Sequence, residues 1–74
     1  MLSKNLNKMF KIKDKYIQVK NINGKYYGVH MFTDEILYDP YRDCVSDKLS
    51  DYSKNRIKMD VSLAIDRHND IHRV

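Results

Sequence analysis

The sequence predicts an α+β fold: a small antiparallel sheet, built from an Asn-Gly hairpin and a C-terminal strand, with one or two short helices on one face. Three observations carry this. Residues 15–32 hold two runs rich in β-branched and aromatic side chains around Asn23-Gly24, a strong hairpin signal. Residues 57–65 alternate apolar and polar without a break: Ile57, Met59, Val61, Leu63 and Ile65, with Lys58, Asp60, Ser62 and Ala64 between. That is the period of a strand with one buried face. Short stretches with helical spacing lie at 1–10 and 46–54.

Taken in order, Leu2, Leu6, Met9 and Phe10 fall on one helical stripe, with Ser3 as a cap. Residues 1–10 are therefore either a short helix that docks by this stripe or a frayed end. A two-residue type I′ turn at Asn23-Gly24 sets the hairpin register, because both turn positions require positive φ. Ile22 then faces Lys25, Lys20 faces Tyr27, Gln18 faces Val29 and Tyr16 faces Met31. The opposite face carries Ile17 with His30, Val19 with Gly28, Asn21 with Tyr26 and Lys15 with Phe32. The face with Ile17, Val19, Gly28 and Phe32 is expected to be buried, Gly28 leaving room for a helix.

Thr33-Asp34 suggests a second turn, and residues 35–38 a short third strand closed by Asp39-Pro40. Residues 46–54 suggest a helix with Val45, Leu49 and Tyr52 on one side, capped by Ser46 or Asp47 and ended by Asn55. The alternating strand follows. It is expected to pair with the hairpin or with a second copy, since a bare edge of that length invites aggregation. Residues 67–74 are expected to be a flexible tail. The whole is one small domain, near the lower size limit for a core that folds unaided.

Composition narrows the function. The 74 residues carry a net charge of +4, divided unevenly: +6 over residues 1–33 and −2 over 34–74. Six Tyr and two Phe argue against disorder. No apolar run is long enough to span a bilayer, no signal-peptide pattern opens the chain, and a single Cys44 makes no internal disulfide. These features lead to the expectation of a cytoplasmic protein. Abundant Lys, Asn, Ile, Asp and Tyr with little Ala, Gly or Pro is what AT-rich codons encode, which suggests a low-GC bacterium or its phages and mobile elements.

Candidate catalytic groups are sparse. The acids Asp34, Glu35, Asp39 and Asp43 crowd one loop region, but a metal-dependent nuclease needs carboxylates from separate elements and a positioned lysine. Cys44 has no base near it in sequence and is expected to be a small buried residue at a helix start. His68 and His72 stand four apart, two ligands where a metal needs at least a third. We therefore expect no enzyme, no cofactor and no metal.

Two binding functions remain. One is a phage or mobile-element accessory protein that inhibits or modulates a host protein, such as a nucleic-acid-handling or defence enzyme, by direct contact. Its contact residues would be Tyr16, Lys20, Lys25, Tyr27, Tyr38, Tyr41 and Arg42, aromatics and cations of the kind that anchor interfaces. The other is a nucleic-acid binder using Lys11, Lys13, Lys15, Lys20 and Lys25 on phosphates, with Tyr16 and Tyr27 stacking on bases. Lys4 and Lys8 would extend its basic surface. A homodimer is compatible with either.

Overall fold

The Asn-Gly turn forms as its residues demand. In the computed structural model, which describes residues 11–72, Asn23 and Gly24 have φ of 55° and 86°. The Gly24 N–H donates to the Asn21 side chain at 3.0 Å. Strands β1 (Ile17–Ile22) and β2 (Lys25–His30) pair from Ile22↔Lys25 to Ile17↔His30, in the register anticipated from the turn.

Strand β3 (Ile36–Asp39) returns beside β2, and β4 (Cys44–Val45) beside β3, giving a four-stranded antiparallel sheet in the order β1-β2-β3-β4. Gly28 pairs with Tyr38 but Val29 pairs with Ile36, so β3 holds one extra residue, a bulge at Leu37. Strict alternation would turn either Leu37 or Tyr38 away from the core; with the bulge both are buried in it.

The main departure from expectation is at the C-terminal end. Residues 57–65 are not a strand. They lie within one long helix, α1 (Asp51–His72); of the helix anticipated at 46–54, residues 51–54 are helical as the first turn of α1, while the residues before them form a turn at Asp47-Lys48 and a bridge from Leu49 to Ile12. The start of α1 follows from Ser50, whose Oγ accepts the Ser53 N–H at 3.2 Å as an N-cap. Neither Ser46 nor Asp47 caps it, and Asn55 lies in its interior. Residues 67–72, expected to be a tail, continue the helix. The stripe anticipated at 1–10 lies outside the described residues.

Two residues along a helix is 200° of rotation, so a period of two places successive apolar residues on opposite faces. Ile57, Val61 and Ile65 face the sheet; Met59 and Leu63 face away and are 58% and 48% exposed. The core is Leu37, Tyr38, Leu49, Ile57 and Val61, flanked by Ile12, Ile17, Val19, Tyr26, Val45 and Ile65. Gly28 is essential to this contact: a Cβ built there would lie 2.3 Å from Ile57 Cγ1. Phe32, expected in the core, is exposed, while Val29 on the opposite sheet face is fully buried.

The start of the described chain is tied to the helix start. Asp14, in a 3-10 turn (Asp14–Tyr16), accepts a hydrogen bond from Ser53 Oγ, which in turn accepts one from Ser50 Oγ at 3.0 Å. Ser53 is the one buried polar residue among those described, and this relay satisfies it. A carboxylate at a helix N-terminus also complements the helix dipole.

Candidate functional site

With α1 on one side of the sheet, alternation along β1 and β2 leaves Lys20, Lys25 and Tyr27 on the other. A second element reaches this face. Asp39 Oδ1 accepts the N–H groups of Tyr41 and Arg42 at 3.0 and 3.3 Å, and Asp43 closes the turn at a φ of 51°. The turn presents Tyr41 to β2. Its hydroxyl accepts the Tyr26 N–H at 3.1 Å, beyond the point where the β2–β3 ladder ends. Its ring meets Tyr27 edge-on, with centroids 5.6 Å apart, and Lys25 Nζ lies 5.2 Å from the ring centre. Lys25, Tyr27 and Tyr41, separate in sequence, thus form one aromatic and cationic cluster.

The other residues singled out in the sequence are placed differently. Lys20, opposite Tyr27, is ion-paired to Asp34 at 3.1 Å. Arg42 is exposed and lines a shallow recess of about 360 Å³ with Asp39, Cys44 and Ser46. Tyr38 is 8% exposed and belongs to the core, so it is withdrawn from the contact surface. Its phenol pKa is raised above the usual value, first by burial and then by Asp43 and Asp39.

Tyr16 ends the 3-10 turn at the open end of the hairpin, far along it from Tyr27, and its carbonyl accepts the Met31 N–H at 2.8 Å, so the anticipated pairing of Tyr16 with Met31 is kept by the backbone. Its ring contacts His30 and Phe32 at centroid distances of 6.0 and 5.3 Å, and Lys15 Nζ sits 5.2 Å from its centre. Lys11 and Lys13 are exposed on either side of Ile12, whose N–H donates to the Lys48 carbonyl.

The acids of the loop region have local structural work. Asp34 adopts a φ of 58° in the turn after β2, Glu35 pairs with Lys48 at 2.9 Å, and Asp39 and Asp43 shape the Tyr41 turn. Cys44 is exposed on β4, not buried at a helix start. His68 packs edge-on against Tyr26 at 5.5 Å. No group of three or more His, Cys, Asp or Glu side chains stands together as a metal site among the described residues. None of the described helices is long and apolar enough to cross a membrane.

Two groups lie outside the sequence expectations: the Tyr16–His30–Phe32 ring cluster, half-buried except for the exposed Phe32, and the outer face of α1. The signal for the second was present: residues 41–74 contain neither Gly nor Pro, a length that suits a long helix better than a strand. Comparison with protein-family models, with curated proteins and with solved structures finds no match.

Proposed function

We propose that this is a small non-enzymatic binding protein that modulates a partner protein by direct contact, through the face of its sheet opposite α1. The observation that carries this is the Lys25–Tyr27–Tyr41 cluster. Two tyrosine rings are held edge to face by a turn and a hairpin, so they offer large apolar area with little side-chain entropy left to lose on binding. Lys20 and Arg42 flank the cluster and supply charge at its rim. The abundance of Lys, Asn, Ile, Asp and Tyr, of the kind AT-rich codons encode, supports a phage or mobile-element accessory protein whose partner is a host protein, such as a nucleic-acid-handling or defence enzyme.

The test is recovery of a partner from a low-GC bacterial lysate with the wild-type chain, followed by Tyr27→Ala and Tyr41→Ala. Loss of recovery in both variants is expected, and unchanged recovery in both removes this surface. A second function, single-strand nucleic-acid binding, is favoured by the two lysine-over-tyrosine pairs, Lys15 with Tyr16 and Lys25 with Tyr41. It requires a gel shift at low salt that weakens linearly in log–log terms as salt rises. Absence of any complex at low salt eliminates it.

A further inference from the structure

The outer face of α1 carries a second periodicity that the sheet does not use. Tyr52, Arg56, Met59, Leu63, Asp66 and Asp70 are spaced alternately four and three apart, the seam of a helix that pairs with another helix. Met59 and Leu63 form its apolar centre, and Tyr52 is 65% exposed at one end. This seam lies opposite the Ile57–Val61 stripe, so the sheet cannot cover it. Arg56 is paired along the helix with Asp60 at 3.5 Å, and its side chain stays about half exposed.

The charges choose the occupant. The seam has a cation in its first half and carboxylates in its second. Laid against a second copy in parallel register, Arg56 would meet Arg56 and Asp66 would meet Asp66, repulsive at both levels. Laid antiparallel and centred at the level of Val61, Arg56 meets Asp66 of the other copy, Met59 meets Leu63, and Tyr52 meets Asp70. Every layer is then complementary, and each occurs twice by the two-fold axis.

We propose that the outer face of α1 is a self-association surface, and that two copies pair through it as antiparallel helices with their sheets on the outside. With only Met59 and Leu63 as apolar anchors in each protomer, the interface falls among small, weak ones, and association is expected at on the order of tens to hundreds of micromolar protein.

Sedimentation velocity over a concentration series tests this on the full chain, with circular dichroism as the check on folding. The wild type is expected to shift from monomer to dimer. Leu63→Glu places a carboxylate in the apolar centre and is expected to weaken dimerisation at least ~100-fold. Asp66→Arg, which sets Arg56 against a second cation, is expected to weaken it roughly tenfold, and Arg56→Asp likewise. The double variant Arg56→Asp/Asp66→Arg exchanges the charges and is expected to restore the wild-type constant. Because these positions are exposed, the variants retain the helical spectrum of the monomer. Three results overturn the proposal: a wild type that stays monomeric to about 1 mM, the outcome if a different partner takes this face; a dimer indifferent to Leu63→Glu; or a double variant no better than its parents.

Discussion

The two glycines of this chain are needed for different physical reasons, and substitution separates them. At Gly24 a Cβ would meet nothing within 4 Å, but the residue sits at a φ of 86°. Gly24→Ala is therefore expected to cost about 1–2 kcal/mol of conformational strain alone. At Gly28 the Cβ would lie 2.3 Å from Ile57 Cγ1 and 2.8 Å from Cδ1, so the helix must lift from the sheet. Gly28→Ala is expected to cost about 1–3 kcal/mol through overpacking. Asparagine distinguishes them in urea denaturation: Gly24→Asn should lie closer to wild type than Gly24→Ala, because Asn tolerates positive φ. Gly28→Asn should be worse than Gly28→Ala, because it is larger. Equal ranking at the two sites would mean that the Gly28–Ile57 approach does not limit the packing. Tyr38 gives a second residue-scale expectation, read against pH. Its pKa is raised in the folded state above the usual 10.0, chiefly by burial. The stability it contributes is thus complete below pH 10.0 and lost as pH climbs from there through the folded value. Thermal midpoints should fall less steeply above pH 10 in Tyr38→Phe than in wild type, and parallel curves would exclude this contribution.

Individual elements differ in how far they could be read from sequence, and the reason is the range of the forces involved. The hairpin register from Ile22↔Lys25 to Ile17↔His30 was legible because Asn23-Gly24 imposes it locally. Its buried face was also legible, since only Gly28 leaves space for a helix, although the expected burial of Phe32 failed. The chain leaves the strand geometry at both ends of the hairpin, and Phe32 instead joins a surface stack with Tyr16 and His30. Residues 57–65 were misjudged because a helix with apolar residues on two opposite faces has the same alternation as a strand. The choice between them is made by long-range packing of Ile57 and Val61 on the sheet, together with the Ser50 cap. Of the candidate site, Lys25 and Tyr27 were legible from strand alternation. The arrival of Tyr41 beside them depends on the Asp39 turn and is a tertiary fact. The helix assignment carries its own test at low protein concentration. Ile57→Ala should destabilise by about 2–5 kcal/mol, as a cavity in the core does. Met59→Ala should stay within about 0.5 kcal/mol, as an exposed position does. In a strand with one buried face the two would cost alike.

For the molecule as a whole, the two surfaces divide the labour: the sheet offers a tyrosine cluster outward, and α1 offers a seam to a second copy. Antiparallel pairing of α1 leaves both tyrosine clusters uncovered, so a dimer would present two contact faces pointing away from each other. It would also relieve the size problem, because the six fully or nearly buried apolar side chains among the described residues make a small core for independent folding. Folding and association are then linked, since only the folded helix displays the seam. If so, the melting temperature must depend on protein concentration. Raising the concentration to tenfold above the dissociation constant stabilises each protomer by about 1 kcal/mol. In a domain of this length that corresponds to a rise of about 4–8 °C in Tm. Leu63→Glu should abolish the rise while leaving the dilute-limit Tm nearly unchanged, because Leu63 lies outside the core. Tyr27→Ala should keep the rise intact, because it lies on the opposite side of the sheet. A wild-type Tm constant over that range would show that the single protomer is stable by its own core, and that α1 keeps its outer apolar face without using it for folding.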